Sequence, residues 1–520
     1  MRHLALTRVA LLATPLAMLC MSGVARGEEP HKVTEPYVLN EPAEVTDVVD
    51  AFDDNDKFDL HLTLGFEQTW RNGHVLRESN SGRDQFSSGG YVAGNQDVGK
   101  FSEQTSRLNT KAEIGLYKDI ALIVRMPVIL SDDRKLTDLG GSQANQQLAA
   151  QGGPGEQLFS IPFQSPTRSG IEYLAVGLDF SPLNQHRDAT KPTWMFGFEG
   201  RFSVSEPMHA CNGGGGLNLP GSQVKCAYPS DINRNGVSGE NSVAANGGNV
   251  ALEGSNFSGA RGPGVSRGTT GLQIHTYVSK RIRYIEPYGG FEALFEFQNS
   301  SSDYGVSDLQ GSLVNHPPFQ GSIIGGVAVF PWEVRDAFQR IELDFRLKGT
   351  YRSEGRDYSP LFDALGSSDA PSLRRPNFAT FQANTDAATS GSFPSIVNTG
   401  SERVFMTGIT DVQQYGIYTV STQVTFQAGE FVKFNLGGAF TAEQGHIITF
   451  DQPCNPDFKQ DPGSAGPCRS TSVSSSGAST FSATGIPNPN YRAVIDSPGR
   501  RFRYDDSTVW NAWINAIVMF

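Results

Sequence analysis

The 520-residue sequence lacks long apolar runs: beyond the first 25 positions, no stretch reaches the roughly 18 apolar residues of a membrane-spanning helix. This absence excludes a protein that crosses membranes with helices. Basic runs are also scarce, and 54 acidic against 42 basic residues give a net charge of -12, which argues against nucleic-acid binding. Aromatic residues make up 10% of the chain, which disfavours disorder throughout. A large all-β body or about three ordinary domains remain.

The first 27 residues have the pattern of a secretory signal peptide. Arg2 and Arg8 lie in a charged segment, Val9 to Met21 is apolar apart from Pro15, and Ala25-Arg26-Gly27 offers small residues for cleavage. Removing residues 1–27 deletes three arginines and takes the net charge from -12 to -15. We therefore predict an exported chain in which residues 28–56 form an acidic periplasmic segment and residues 57–520 form the folded body.

Apolar and polar residues alternate with a period of two along the folded body, which predicts β-strands with one apolar face. Phe58, Leu60, Leu62, Leu64 and Phe66 alternate in this way with Asp59, His61, Thr63, Gly65 and Glu67. Segments of this length suffice for a tilted strand to cross a bilayer. The predicted strands are 57–70, 106–117, 120–131, 170–182, 192–204, 270–280, 284–298, 319–331, 338–352, 412–427, 430–448 and 507–520.

The connections between these twelve segments alternate between long and short, as in the turn Lys118-Asp119 that follows a loop of about 35 residues. Outer-membrane barrels have short periplasmic turns and long extracellular loops, whereas a soluble sandwich has no reason for this alternation. The last segment ends in the aromatic residue Phe520, which resembles the C-terminal signal that bacterial barrel-assembly machinery recognises. We predict an all-β fold, a transmembrane antiparallel up-and-down β-barrel of about 12 strands.

Four cysteines remain after signal cleavage, in two pairs that are close in sequence. Cys211 precedes Cys226 and Cys454 precedes Cys468, each pair in a loop rich in glycine, proline, serine and asparagine. Three pairings are possible, and proximity favours the two local disulfides in an exported protein. A zinc site is the alternative, but it lacks a Cys-x-x-Cys motif, and only His209 lies near Cys211.

The polar faces of the strands supply the candidate pore lining. Two interpretations compete for these charges: a constriction that selects solutes, or paired ladders that fill the interior without transport. The predicted lining residues are Glu342, Asp344, Arg346, Lys348, Arg352, Glu286, Tyr288, Glu292, Glu296, Glu199, Arg201, Lys111, Glu113, Arg125 and Lys433.

Three loops, 206–269, 353–411 and 449–506, are long enough to fold inward as a plug or cap. Residues 358–365 of the second loop predict a short helix with an apolar side, which either enters the barrel or packs on its rim. The first loop contains Asp231, Asn233 and Asn235 at alternate positions before Gly236, as in the first half of a calcium loop. The glutamate that binds calcium through both carboxylate oxygens at the end of such a loop is missing, although Glu240 is near. The alternative to a calcium site is an ordinary turn rich in asparagine and glycine.

Catalytic chemistry has little support in this sequence. Outer-membrane lipid hydrolases need a serine and a histidine that meet near the barrel rim. His74, Ser79 and Asn80 resemble such a set only superficially, and a polar external loop is the alternative interpretation. No glycine loop that would hold a phosphate precedes a helix, and we predict neither an enzyme nor a cofactor, with calcium as the one possible exception.

Two segments of the chain carry a resemblance to a known family: Gly115-Leu116-Tyr117-Lys118-Asp119 with the strand that ends at Met126-Pro127, and residues 169–178. They resemble the transporter-like barrels of the family named for the MetA pathway of phenol degradation, and the chain more broadly resembles Gram-negative outer-membrane channels. Ile171-Glu172 departs from the Gly-Asp that this family favours, and Ser205-Glu206-Pro207 departs from Pro-Thr-Gly. The resemblance implies an outer-membrane barrel that moves small solutes, including hydrophobic ones.

The leading functional hypothesis is a porin-like channel or passive transporter for small solutes, with loop 353–411 narrowing the pore. The alternative is a non-conducting surface barrel that displays its loops, and a lipid hydrolase ranks third. The predicted partners are outer-membrane lipid, the barrel-assembly machinery during biogenesis and a small-molecule solute, with no nucleic acid. The predicted location is the cell outer membrane.

Overall fold

We analysed a computed structural model of the chain. It describes residues 43–52, 58–79, 94–139, 149–212, 225–226, 262–305, 316–334, 337–368, 370–373, 375–376, 403–404, 406–452, 454–455, 468–473, 475–477, 479–487 and 491–520. The predicted signal peptide, 1–27, and the predicted calcium residues Asp231, Asn233, Asn235 and Glu240 lie outside these ranges.

Twelve strands form one antiparallel sheet in which each strand pairs with its neighbours in sequence. Two of the strands, β3 and β4, each contain a short interruption. The strands are β1 Leu60–Ser79, β2 Gly94–Tyr117, β3 Ile120–Arg125 with Val128–Thr137, β4 Arg168–Ile171 with Leu174–Leu183, β5 Thr193–Phe202, β6 Thr269–Ser279, β7 Ile285–Gln298, β8 Gln320–Val334, β9 Gln339–Arg352, β10 Tyr415–Gly429, β11 Val432–Glu443 and β12 Phe502–Met519.

The sheet closes because β12 pairs with β1 from His61 opposite Met519 to Arg77 opposite Phe502. Closure leaves no sheet edge, so the backbone N–H and C=O groups of all twelve strands have partners within the sheet, as a lipid environment requires. The predicted barrel of twelve strands is confirmed. Strands β1 and β2 are longer than predicted, with 20 and 24 residues, and their additional residues project beyond the other strands on the side of the long loops.

The strands alternate between an apolar outer face and a polar inner face. On β9, Phe345 and Leu347 are 50% and 63% exposed, whereas Glu342 and Asp344 are 3% and 7% exposed. Leu62, Leu64 and Phe66 of β1 face outward in the same way. This outward apolar belt on a closed sheet is the surface that lipid covers, and the chain is an outer-membrane β-barrel.

The short connections lie at one end of the barrel, which is the periplasmic end. Lys118 and Asp119 alone join β2 to β3, and Asp119 takes a left-handed conformation with φ of 53°, which aspartate tolerates better than most residues. Glu430 and Phe431 join β10 to β11 in the same manner. In the part of the chain that the structure describes, no helix has the length and apolar content to cross a membrane.

Small elements lie in the loops at the extracellular end. Two short helices are α1, Phe362–Gly366, and α2, Ala493–Asp496, and single 3-10 turns cover Asp303–Gly305 and Pro371–Leu373. The remaining strands are Phe163–Gln164, Cys211–Asn212, Lys225–Cys226, Gly355–Asp357, Arg375–Pro376, Arg403–Val404, Thr410–Val412, His446–Ile447, Cys454–Asn455, Cys468–Val473 and Ser479–Pro487.

The predicted disulfide between Cys211 and Cys226 is present and joins two paired strands. Cys454 and Cys468 lie on two strands that both pair with Ser479–Pro487. The side chains of Cys454 and Cys468 are outside the description, so the second disulfide stays a prediction.

Leu347→Arg tests the assignment of the lipid-facing surface. Leu347 lies in the middle of β9 and points outward, so an arginine there must place its charge in the hydrocarbon. We expect a loss of about 2–4 kcal/mol in the free energy of unfolding, measured by denaturant titration of the protein refolded in vesicles.

Val334→Arg is the depth control, because Val334 lies at the periplasmic end of β8 and is also exposed. Its expected cost is about 0–1 kcal/mol. Equal costs at the two depths would contradict the orientation of the barrel in the membrane.

Candidate functional site

The fifteen predicted lining residues all lie on the inner side of the barrel. Ten of them line cavities in the lumen: Glu342, Asp344, Arg346, Lys348, Glu292, Glu296, Arg201, Lys111, Glu113 and Arg125. The other five, Glu286, Tyr288, Glu199, Arg352 and Lys433, pack among inward-facing neighbours and bind them. Their role in conduction stays a prediction.

Polar and charged side chains of β7 and β9 meet over the inner face of β8, which lies between these two strands. Arg346 donates to Asp344 at 3.0 Å and to the Tyr288 hydroxyl at 3.0 Å, and Tyr288 in turn donates to Asp344. Lys348 binds Glu292, which also accepts a hydrogen bond from Tyr277. Such ladders of paired charges are expected if the charges only fill the interior of the barrel and do not serve transport. Pairing alone does not separate the two interpretations, because a lined pore also needs its charges to be held in place.

The sequence analysis missed the polar face of β6. Gln273, His275 and Tyr277 point into the lumen, and His275 Nε2 lies 3.2 Å from an oxygen of Asp179 on β4. The sequence does contain a signal for this inner face. Leu272, Ile274 and Val278 form the apolar outer face of β6, so the residues between them must point into the lumen. The predicted lining consists of charged residues and Tyr288, and β6 carries no aspartate, glutamate, lysine or arginine between Thr269 and Ser279.

Residues 43–52, which we call the plug, do not lie where the sequence predicted. They were predicted to belong to a periplasmic segment, 28–56, but they lie inside the periplasmic mouth of the barrel. Val48 and Val49 pack with inward side chains of the wall, including Tyr277 and Tyr288, and Ala43 packs with Phe330. Gly115 on β2 accommodates the plug, since a Cβ atom there would lie 1.8 Å from the Asp50 carbonyl oxygen.

Polar contacts fix the plug to four strands. The Ala43 amide donates to Glu286 on β7 at 2.7 Å, and the Thr46 hydroxyl lies 2.8 Å from that of Ser279 on β6. The carboxylate of Glu44 accepts hydrogen bonds from Thr425 on β10 at 3.0 Å and from Asn435 on β11 at 2.6 Å. An acidic segment thus finds donors in the wall, which explains how a polar sequence can be buried.

Farther along the plug, Asp47 lies 3.7 Å from Lys433 on β11, and Asp50 pairs with Arg187 at 2.8 Å. Arg187 belongs to the periplasmic turn between β4 and β5 and also contacts Asp119. The plug is therefore held both inside the mouth and at its edge.

At the extracellular end, loop segments and the inward side chains of the projecting strands form a second constriction, which we call the cap. Its apolar core joins Leu361 and Leu365 of the α1 region to Val75 of β1, Phe101 of β2 and Phe502 of β12. The predicted short helix in 358–365 is confirmed at Phe362–Gly366, and it packs between the strands, inside their ring.

Two buried arginines fix the cap to the barrel. Arg168 of β4 is fully buried and binds both carboxylate oxygens of Asp363, at 3.0 and 2.6 Å, and also the His209 carbonyl oxygen. Arg77 of β1 donates to the carbonyl oxygens of Ala149 and Val494, which belong to two different loops. Bidentate pairing of this kind defines the position of a side chain strongly.

A cluster of carboxylates lies in the cap around Arg356. Arg356 binds Asp451, and burial together with the nearby Asp451 raises the pKa of Asp496 to about 7. Burial also raises the pKa of Asp411 well above its usual range, against the opposing effect of Arg356. Asp496 is therefore largely protonated below neutral pH, and the cap carries less negative charge in acid.

Three polar cavities lie between the plug and the cap. The plug cavity has a volume of about 270 Å³ and is bounded below by Glu44 and Asp47. The middle cavity, about 170 Å³, shares Gln273 and Glu292 with it. The upper cavity, about 240 Å³, shares Arg201, Leu294 and Gln320 with the middle cavity.

The three cavities adjoin one another through these shared side chains. They form a polar column along the lumen, and charged side chains line each of them. The plug lies at the lower end of this column and the cap at the upper end.

The hydrolase hypothesis finds no geometric support in the described part of the chain. His74 and Ser79 lie on the same strand, β1, five residues apart. A strand rises about 3.3 Å per residue, so the two are separated by about 16 Å, far beyond hydrogen-bond reach. Asn80 lies outside the described residues.

Comparison with known proteins finds no matching family model and no matching curated protein. Among solved structures, a deltaS2 mutant of the TodX monoaromatic hydrocarbon channel is 9% identical, with 92% of this chain and 93% of that chain covered and a TM-score of 0.30. The COG4313 outer membrane channel from Pseudomonas putida F1 is 8% identical, with 88% and 95% covered and a TM-score of 0.29.

The outer membrane protease OmpT from Escherichia coli is 9% identical, with 91% of this chain and all of that chain covered and a TM-score of 0.24. The assignment of the barrel rests on the closed sheet of twelve antiparallel strands.

Asp363→Ala tests the fixation of the cap. Removing one partner of a buried ion pair leaves the Arg168 charge without compensation, which typically costs about 3–5 kcal/mol. We expect hydrogen exchange at the α1 amides of Leu365 and Ser367 to accelerate by at least about 100-fold.

The matched control is Asp188→Ala, which breaks the exposed Asp188–Lys191 pair in a periplasmic turn. This pair is exposed to solvent and far from α1, so exchange in α1 should not change. Unchanged exchange in Asp363→Ala itself would contradict the role of the pair.

The pKa of Asp496 makes cap stability depend on pH. The folded cap raises this pKa from 3.8 to about 7, so it binds the proton more tightly than the opened segment does. Cap stability therefore falls as the pH rises from about 4 to about 7. Cleavage of the cap by a protease, normalised to a peptide substrate at each pH, should be faster at pH 8 than at pH 5.

In Asp496→Asn the side chain no longer titrates, so this pH dependence should be weaker than in the wild type. Cleavage that is slower at pH 8 than at pH 5 in the wild type would contradict the direction of the shift.

Proposed function

We propose that this protein is an outer-membrane channel for small polar solutes that is closed at the periplasmic end by the plug and narrowed at the extracellular end by the cap. The observation that carries the proposal is the column of three adjoining polar cavities along the lumen. A barrel that only displayed loops would have no need for a series of adjoining polar cavities. The charged walls favour polar solutes over hydrocarbons, because burying an apolar solute there would leave the charges without solvation.

The plug is the part that opens on this proposal. It holds few apolar contacts beyond Ala43, Val45, Val48 and Val49, and hydrogen bonds supply the rest of its attachment. Segments with few buried apolar contacts open at lower free energy than a packed core does. Release of the plug exposes the plug cavity to the periplasm without any change in the barrel wall.

A non-conducting surface barrel is the second candidate. The paired ladder around Arg346 and Lys348 and the packed cap both favour it. The two candidates differ in one property, since only the channel conducts ions when the plug is released.

The double substitution Glu44→Ala with Thr46→Ala removes the side-chain hydrogen bonds of the plug to β6, β7, β10 and β11. Four hydrogen bonds, each contributing about 0.5–1.5 kcal/mol, make this release substantial. We expect the refolded variant to show more frequent or longer single-channel openings in planar bilayers than the wild type.

Glu430→Gln, in the exposed turn between β10 and β11, removes one charge outside the lumen and should leave the openings as in the wild type. A silent double variant that refolds normally would favour the non-conducting barrel and would remove the channel.

A further inference from the structure

The plug cavity differs from the other two cavities in its charge. Its wall contains three basic side chains, Lys111, Arg125 and Arg346, and seven acidic ones. The acidic residues are Glu44, Asp47, Glu113, Asp179, Glu292, Glu342 and Asp344. The difference, 7 minus 3, leaves four negative charges in excess when all are ionised.

The basic side chains of this wall are already engaged with carboxylates. Lys111 binds Glu113 at 2.6 Å, Arg346 binds Asp344 at 3.0 Å, and Arg125 binds Glu199 at 3.2 Å. Glu292 binds Lys348, and Asp47 lies 3.7 Å from Lys433. The acidic groups of this wall that have no lysine or arginine partner among the described residues are therefore Glu44, Asp179 and Glu342. A cavity with low-dielectric walls concentrates such a field and raises the local concentration of positive ions.

Two buried atoms of this wall have no hydrogen-bond partner among the described residues. They are Oε2 of Glu342, whose side chain is only 3% exposed, and Nδ1 of His275, which is 7% exposed. A carboxylate oxygen only accepts hydrogen bonds. When His275 Nε2 donates to Asp179, which lies 3.2 Å away, Nδ1 also accepts. An unpaired buried acceptor is costly, so a ligand that donates to these atoms is favoured.

Geometry argues for an organic cation over a metal ion. Within the described part of the chain, no group of three or more histidine, cysteine, aspartate or glutamate side chains converges as a metal site does. The cavity of about 270 Å³ has room for about nine water molecules at roughly 30 Å³ each, far more than one bare ion needs.

We propose that the plug cavity binds small organic cations that carry N–H donors, such as amines, amidines or guanidines, and that it makes the channel cation-selective. This inference rests on the proposed function and names the solute class of the same lumen. Glu342 and His275 accept hydrogen bonds from the cation, while Glu44 and Asp47 close the cavity from below. Movement of the plug therefore changes the cation site and the pore together.

The test uses guanidinium, a planar cation with N–H donors, against tetramethylammonium, which has the same charge and no donor. Both are added as chloride salts at millimolar concentration to the refolded full-length wild-type chain, which opens less often than the plug variant but keeps Glu44 in the site. Currents in a potassium chloride gradient should reverse at a potential that indicates preference for potassium over chloride. Guanidinium should reduce the potassium current, and tetramethylammonium should reduce it much less.

Glu342→Gln keeps the size of the side chain and removes its charge. Loss of a hydrogen bond to a charged group should weaken the guanidinium block by about tenfold to a hundredfold. Asp47→Asn, which lies on the plug and outside the barrel strands, is the second variant should Glu342→Gln fail to refold, and it should reduce the preference for potassium. Glu430→Gln removes the same charge outside the lumen and should keep both properties.

Thermal stabilisation of the refolded protein by guanidinium, measured at low millimolar concentration, reports binding without conduction. Stabilisation without any conductance would reject the channel and keep the cation site. Conductance with no cation preference and equal effects of the two cations would overturn the cation site and keep the channel. Absence of both signals would reject both.

Discussion

The pairing of β1 with β12 is the constraint on which the rest of the structure depends. A sheet in lipid cannot leave backbone groups unpaired, so its first and last strands must meet. Their register, with Gly65 opposite Asn515 and Trp70 opposite Trp510, aligns polar positions of both strands inside and apolar positions outside. Gly65 also makes room for the Asn515 side chain, since a Cβ atom there would lie 1.9 Å from its Oδ1 atom.

Closing the sheet encloses an interior that must be filled or solvated. Twelve strands enclose a space too wide for their own side chains to fill completely and lined by charges that cannot remain unsolvated. Three devices occupy it: paired ladders such as Arg346 with Asp344, the plug, and the cap around Leu361 and Leu365. The space that these three features leave unfilled is the polar column, and the proposed transport function depends on it.

Much of this fold was predictable, because the signal is local. Each strand carries its own alternation, and Leu62, Leu64 and Phe66 or Phe345 and Leu347 show it without knowledge of their neighbours. The inward position of the fifteen predicted lining residues follows from the same periodicity. The disulfide Cys211–Cys226 could be predicted because its two cysteines are close in sequence.

The plug and the cap were harder to predict, because each depends on contacts between distant residues. Glu44 contacts Asn435, Arg168 contacts Asp363, and Arg77 contacts Val494, and none of these pairs has a pattern in sequence. An acidic segment such as 43–52 resembles a solvated tail until the donors in the wall are known. The extension of β1 to Ser79 was also missed, since its upper half leaves the membrane and no longer needs an apolar outer face.

The central claim is that the polar column is a water-filled route that the plug closes. Its most direct measurement is the reaction of a lumenal cysteine with a small, charged thiol reagent added from the periplasmic side. Ser322→Cys places the thiol on the wall of the middle cavity, and Ile323→Cys places it on the lipid face. The lumenal thiol should react faster when the plug substitutions are present, while the lipid-facing thiol should stay unreactive. A lumenal thiol that never reacts, with the plug fixed or released, would show that the column is not a route for water and solutes.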